Sequence, residues 1–113
     1  MILGIVRVRL QPDITEESIR TIRGFLEPTR VEPGCLNMRC GRDVEDESVL
    51  MIEEGWASRE DWQRHVRSEG YKVTLHILDS VLETPEVKYY EVTITGGIEE
   101  LLSICGNLAL TNL

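Results

Sequence analysis

Two short apolar-rich segments, residues 35–42 and 48–56, constrain the fold most, because only five residues separate them. The separating stretch, residues 43–47, reads Asp-Val-Glu-Asp-Glu, an acidic segment in which the two Asp residues favour a turn. Parallel strands would need a crossover of roughly a dozen residues or more, for which this connection has no room. The sequence therefore predicts an antiparallel pair of strands in the middle of the chain.

The segments on either side of this pair predict further strands and helices. Residues 1–10 are predicted to form a strand, in which residues 5–10 alternate apolar and basic side chains, as expected of a strand with one buried face. Apolar residues at helical spacing follow this strand and predict a first helix. A second helical region begins after Ser58, a typical N-cap residue, and is interrupted at Gly70. Residues 87–94 have the composition of a last strand. The order β-α-β-β-α-β predicts an α+β, ferredoxin-like fold, an antiparallel sheet with its helices on one face. The residues expected on the buried face of the first strand are Ile2, Val6, Val8 and Leu10.

Both ends of the first helix have sequence signals. Asp13, followed three residues later by Glu16, resembles a capping box and predicts the start of the helix. Pro28, followed by Pro33 and Gly34, predicts its end.

A short tail follows Gly96 and Gly97. Residues 1–95 are expected to form one domain, and residues 96–113 an apolar, helical C-terminal tail. Its apolar residues fall on one helical face, so we expect the tail to dock on its own subunit or on a partner. That face carries Ile98, Leu101, Leu102 and Cys105.

Charge and cysteine content exclude several classes of protein. The 113 residues include 12 basic and 20 acidic side chains, a formal net charge of −8, which repels nucleic acid and anionic membrane surfaces. No segment approaches the ~20 apolar residues of a membrane span. The three cysteines are odd in number and lack CxxC spacing, so neither a disulfide framework nor a zinc site is expected. Reduced thiols in a cytoplasmic protein are the favoured interpretation.

Two local features are candidates for chemistry. His65 follows Trp62 by three residues, which places both near one face of a helix. In the strand that holds Glu53 and Glu54, alternation directs one of the two glutamates inward. An inward carboxylate needs a partner or has a raised pKa, so it is either an ion-pair partner, with Arg39 the candidate, or a general base. A packed histidine with one hydrogen bond is likewise the structural alternative to a catalytic His65.

Three short motifs together resemble the antibiotic biosynthesis monooxygenase family. They are Glu-Pro-Gly-Cys-Leu at 32–36, Glu-Gly-Trp-Ala-Ser-Arg-Glu at 54–60 and His-Val-Arg-Ser at 65–68. The resemblance covers about residues 1–94 in order. It implies a ferredoxin-like fold that dimerises into a barrel-like α+β assembly. Members of the family include cofactor-free oxygenases of aromatic polyketides, quinol oxidases, haem-degrading oxygenases and small-molecule isomerases.

The resemblance also assigns positions. Trp56, Glu54 and His65 match the family's tryptophan, glutamate and helix histidine. Trp62 stands where oxygenases can carry an aromatic hydroxyl, and Ile52 where they can carry an asparagine. The family's frequent second histidine is Gly70 here. In the haem-degrading branch the iron ligand falls at Leu75, and His76 lies one residue later, rotated by about 100° on a helix, so haem degradation is not expected.

The sequence and the resemblance together predict a homodimeric oxidoreductase, a monooxygenase of an aromatic or quinol-like small molecule, with no bound cofactor or metal. His65 and Glu54 are its expected catalytic residues. The residues expected to line the substrate pocket are Trp56, Trp62, Ile52 and Tyr71. Two alternatives remain open: a non-catalytic ligand-binding or structural module, and a small-molecule isomerase of the same fold.

Overall fold

The computed structural model describes residues 1–79, 81 and 83–106. Within these residues the chain forms an α+β fold of strands and helices that follow one another in the order predicted, with the second helical region in two parts and an added terminal helix. The elements are β1 (Ile2–Arg9), α1 (Thr15–Arg30), β2 (Cys35–Arg42), β3 (Val49–Trp56), α2 (Arg59–Val66), α3 (Tyr71–Asp79), β4 (Glu86–Glu91) and α4 (Ile98–Cys105).

The strands of the described chain form one antiparallel sheet in the order β2-β3-β1-β4. β2 and β3 pair through the acidic connection, as predicted. Within that connection the Asp46 carboxylate accepts hydrogen bonds from the backbone N–H and the hydroxyl of Ser48. The side chain of Asp46 thus fixes the turn locally, which is why so polar a segment specifies the hairpin.

One face of the sheet lies under the helices and forms the core. Ile2, Val6, Val8 and Leu10 are all buried, which confirms the predicted face of β1. Ile22 of α1 is fully buried in the same cluster. Burying an aliphatic side chain of this size contributes about 1.5–3 kcal/mol, so the inward face of β1 is a main source of stability.

Both predicted ends of α1 are wrong. The helix begins at Thr15 with Ile14 as its N-cap and without a side-chain cap, so Asp13 does not cap it. Thr15 instead donates from its hydroxyl to the carbonyl of Gln11. Pro28 lies inside the helix, which continues to Arg30. A proline removes one backbone hydrogen bond, but Arg30 donates to the Met38 carbonyl of β2, and this contact helps to hold the last turn in place.

The predicted tail helix is present as α4. Its C-terminal end is capped by Gly106, with φ of +76°, a left-handed conformation that favours glycine. Within the described chain no residue of α4 is buried, so its docking remains a prediction. Residues 107–113, the rest of the predicted tail, lie outside the described residues.

Among the described helices, none combines the length and the apolar character needed to cross a membrane.

Candidate active site

Glu54 of β3 points inward, beneath the helices. Its side chain is buried on the same face as Ile52 and Trp56, whereas Glu53 is exposed on the opposite face, where it accepts a hydrogen bond from Asn37. Arg39 lies opposite Glu53 in the β2–β3 register, so the suggested ion pair of Arg39 with the inward glutamate is wrong.

A glycine makes room for the inward carboxylate. Gly4 of β1 lies opposite Glu54 on one side and opposite Tyr89 of β4 on the other. A Cβ atom at this position would lie 2.6 Å from Cε1 of Tyr89 and 2.8 Å from Cγ of Glu54. Contacts of that length do not occur, so the absence of a side chain at Gly4 allows both groups to sit over β1.

A tight turn and a helix cap bring a second carboxylate to the site. Glu32, Pro33, Gly34 and Cys35 form a turn in which the Cys35 N–H donates to the Glu32 carbonyl, and Gly34 has φ of +79°. Proline followed by a glycine of positive φ is the sequence of a type II turn. The turn lies against the start of α2, because Gly34 is in close contact with Asp61.

The start of α2 sets the position of His65. Ser58 is the N-cap, and its hydroxyl accepts from the Asp61 N–H at 3.2 Å, as the sequence predicts. Residues four apart share a helix face, so His65 lies one turn beyond Asp61 and faces the same loop. There, Nδ1 of His65 lies 2.8 Å from Oε2 of Glu32.

His65 lies between two carboxylates. Its other ring nitrogen, Nε2, is 3.8 Å from Oε2 of Glu54, and the side chains of His65 and Glu54 are both only 4% exposed. That separation is too long for a direct hydrogen bond. A single oxygen atom placed about 2.8 Å from both would be at a normal hydrogen-bond distance from each.

Aromatic rings surround this acid–base pair. The His65 imidazole stacks on Trp56, with ring centroids 4.7 Å apart, and meets the edge of Tyr71 at 5.2 Å. The Tyr71 and Tyr89 hydroxyls are 3.4 Å apart. Tyr89 packs on Trp62 with a centroid distance of 4.6 Å. The aromatic residues thus form a continuous wall from the buried imidazole to Trp62 and Tyr89, which are partly exposed.

Burial dominates the electrostatics of the site. It raises the pKa of the Glu54 carboxyl above its ordinary value, although the electrostatic interaction with the His65 ring and the nearby Tyr89 and Trp56 side chains oppose the shift. Burial likewise raises the pKa of the Tyr71 and Tyr89 hydroxyls, so both remain neutral and available as hydrogen-bond donors.

Four buried side-chain nitrogen and oxygen atoms in the described chain lack a hydrogen-bond partner, and all belong to this site. They are Oε1 of Glu54, Nε1 of Trp56, Nε1 of Trp62 and Nε2 of His65. A buried polar atom without a partner costs about 1–3 kcal/mol, so four in one cluster are unusual for a purely structural core. Acceptors and donors that are free in the same place are typical of a binding site.

The structure places most of the predicted site residues together. His65, Glu54, Trp56, Trp62 and Tyr71 lie in one cluster, whereas Ile52 belongs to the hydrophobic core with Val6 and Leu50. Sequence reasoning gave no role to three residues that contribute to the site, Gly4, Glu32 and Tyr89. The Pro-Gly pair after Glu32 was the one available signal, since it predicts the turn but not the contact with His65.

The cysteines lie outside this chemistry. Cys35, Cys40 and Cys105 are free thiols, and burial raises the pKa of the first two, which disfavours a reactive thiolate. Among the described residues, no group of three or more His, Cys, Asp or Glu side chains is arranged to hold a metal ion.

Comparison of the chain with known protein families identifies its family. The family model for antibiotic biosynthesis monooxygenase matches residues 1–76. The chain therefore belongs to the antibiotic biosynthesis monooxygenase family, as the sequence motifs indicated. An uncharacterized protein of Synechocystis is 27% identical over 89 residues, which are 78% of this chain and 60% of that protein. The chain thus spans about 60% of the length of this curated relative.

Solved structures share the architecture at low sequence identity. The crystal structure of an antibiotic biosynthesis monooxygenase is 21% identical, with a TM-score of 0.75 over 83% of this chain and 100% of the other. A Deinococcus radiodurans protein is 18% identical, with a TM-score of 0.79, and the match covers 87% of this chain and 98% of the other. A Mycobacterium tuberculosis protein is 18% identical, with a TM-score of 0.76, and the match covers 85% of this chain and 98% of the other. At these identities the likeness establishes the fold.

Proposed function

We propose that this protein is a small oxidoreductase that oxidises an aromatic or quinol-like molecule with dioxygen and without a bound cofactor. The observation that carries the proposal is the buried pair of His65 and Glu54, in which Nε2 of His65 and Oε1 of Glu54 have no hydrogen-bond partner in the described chain and which lies among aromatic rings. Family membership supports the reaction class, and the geometry of the pair supports proton removal as the contribution of the protein.

The chemistry requires a substrate that becomes electron-rich when it loses a proton. His65 or Glu54 takes the proton of a phenolic O–H, the O–H bond breaks, and the electron pair stays on oxygen. The resulting phenolate is a better reductant than the phenol. For a quinol, two electrons and two protons pass to O₂ in total, giving the quinone and hydrogen peroxide.

The aromatic wall suits a flat substrate. Trp62 and Tyr89 are the partly exposed members of the site, so a ring entering from solvent meets them first. Stacking of aromatic rings contributes about 0.5–1.5 kcal/mol beyond burial of their area. The free indole N–H groups of Trp56 and Trp62 are available as donors to substrate oxygens.

Oxygen consumption by the purified full chain with a panel of quinols and polyphenols tests this function. His65→Ala and Glu54→Gln are expected to lower kcat by roughly 10²- to 10⁴-fold, the contribution of a positioned base. His76→Ala is the matched control, since His76 is exposed on α3. A His65→Ala variant with unchanged turnover would contradict the role of the base. Conversion without oxygen would identify an isomerase, and binding without turnover a ligand-binding module.

We further propose that the protein is a homodimer that covers the helix-free face of its sheet. In the described chain this face carries Ile5, Met51 and Tyr90, each about 40% exposed. The same face also carries Arg39, which lies opposite Glu53 on the neighbouring strand, and Lys88, which lies on the far side of Ile5 from Glu53. Charges of both signs are therefore available for a self-complementary contact. The exposed apolar side of α4 is a second surface for the partner subunit. Sedimentation at micromolar concentration should show a dimer, and a monomer would contradict this assembly.

A further inference from the structure

Glu32 is the one charged group that contacts the imidazole of His65 directly and for which the proposed reaction has no role. It precedes β2 in the turn of residues 32–35, 33 positions before His65, and its Oε2 lies 2.8 Å from Nδ1. The Glu32 side chain is 30% exposed, whereas that of His65 is 4% exposed. Water can therefore reach the carboxylate but not the imidazole it contacts.

The contact with Glu32 determines which ring nitrogen carries a proton. An ionised carboxylate only accepts hydrogen bonds, so Nδ1 must be the donor in this pair. In a neutral imidazole the other nitrogen then holds a lone pair. That nitrogen, Nε2, is buried without a partner, and it faces Glu54 across 3.8 Å.

We propose that Glu32 is a positioning residue that holds His65 in the Nδ1–H tautomer and so makes Nε2 the proton acceptor of the site. This assignment rests on the proposed function for its catalytic meaning. The substrate O–H bond breaks, the proton forms a bond with Nε2, and the electron pair remains on the substrate oxygen. The imidazolium produced lies between Glu32 and Glu54, whose carboxyl groups flank it on both sides. Glu54 is then the second polar contact of the reacting oxygen.

Stacking and edge contacts complete the positioning. Trp56 stacks on the face of the imidazole and Tyr71 makes a T-shaped contact with it, so the ring cannot rotate freely to exchange its two nitrogens. Of the groups that face His65 from neighbouring elements, Glu32 comes from the turn before β2, Glu54 from β3 and Tyr71 from α3. Of these, only Glu32 is within hydrogen-bond distance of a ring nitrogen.

Nitrogen-15 NMR of the ligand-free full chain tests the tautomer independently of any activity. At pH 7.5, two-bond proton–nitrogen correlations of labelled histidine should show His65 protonated at Nδ1, with His76→Ala used to assign the two rings. Glu32→Gln keeps the side-chain size but removes the negative charge that favours Nδ1–H, and its amide can donate to Nδ1 as well as accept from it, so the Nδ1–H population should fall. Glu27→Gln is the control, because Glu27 is an exposed α1 residue paired with Arg30. An imidazolium or an Nε2–H ring in the unmodified protein, or an unchanged ring in Glu32→Gln, would overturn the proposal.

Kinetics then test the catalytic meaning. With any quinol that is turned over, Glu32→Gln should lower kcat by about 10- to 100-fold and leave KM nearly unchanged, since a positioning residue acts on the transition state. Unchanged kcat together with an altered tautomer would overturn the catalytic part. If no quinol reacts at all, the proposed function fails, while the NMR result still decides the position of the proton on His65.

Discussion

The imidazole of His65 lies stacked on the indole of Trp56, with ring centroids 4.7 Å apart and an interplanar angle of 28°. Trp56 is the last residue of β3 and is fully buried, so it is at once part of the core and the platform for the histidine. The core and the proposed site therefore share one side chain, and substitutions there separate its two contributions.

We expect Trp56→Ala to destabilise the protein by about 3–5 kcal/mol, because it removes a large buried ring and leaves a cavity. Trp56→Phe keeps an aromatic platform beneath His65 and loses an indole N–H that has no partner in the described chain. Its cost should be clearly smaller, about 1–2 kcal/mol. Urea unfolding followed by circular dichroism measures both variants, and equal losses would contradict a role of the ring face in stability.

We expect Gly4→Ala to destabilise the protein by about 1–3 kcal/mol, because the new methyl group would overlap Tyr89 and Glu54. Gly24→Ala is the matched control. Gly24 lies in the exposed part of α1, where a Cβ atom meets no neighbour, so alanine should stabilise the helix by up to about 1 kcal/mol. Thermal unfolding of the two variants should therefore shift in opposite directions. Equal shifts would show that Gly4 is not a close approach.

We expect Glu54→Gln to stabilise the protein at neutral pH, by on the order of 1 kcal/mol. Burial raises the pKa of Glu54, so the native state retains a proton that the unfolded chain has already lost. In that window, which opens near pH 4, stability falls as pH rises. The advantage of Glu54→Gln should thus be present at pH 8 and shrink toward pH 4. Urea unfolding at several pH values measures the stability of Glu54→Gln relative to the unmodified protein, and Glu53→Gln, at an exposed position, is the control. A stability difference that does not change with pH would contradict the raised pKa of Glu54.

We expect Asp46→Asn to lose stability at neutral pH relative to the unmodified chain. Hydrogen bonds from Ser48 and the guanidinium of Arg9 lower the pKa of Asp46 to about 2. A lowered pKa means that the carboxylate stabilises the fold above about pH 4, and that this contribution is lost as pH falls toward 2. The stabilities of the two proteins should therefore converge as the pH falls below about 2. Acid titration of the unfolding midpoint tests this, with Glu47→Gln in the same connection as control.

Local features of the architecture were readable from the sequence, because each depends on neighbouring residues. The period of two in β1 and β3 determines which side chains share a face, and it predicted that one of Glu53 and Glu54 points inward; the structure shows that this residue is Glu54. The short acidic connection forced the antiparallel hairpin, and Ser58 marked the start of α2. Motifs that span the chain identified the family. The period of two, the short connection and the N-cap each depend on backbone geometry over a few residues, so none of them needs a distant contact.

Only the tertiary structure determines which residues contact Glu54 and His65. Glu32 and His65 are 33 residues apart, and only the packing of α2 on the turn of residues 32–35 brings them within 2.8 Å. Strand register brings Gly4 between Glu54 and Tyr89, and a shift of one residue would separate all three. Pro28 lies within α1 because distant contacts outweigh a local helix-breaking preference. Sequence patterns specify the direction of a side chain, whereas register and helix packing specify what it meets.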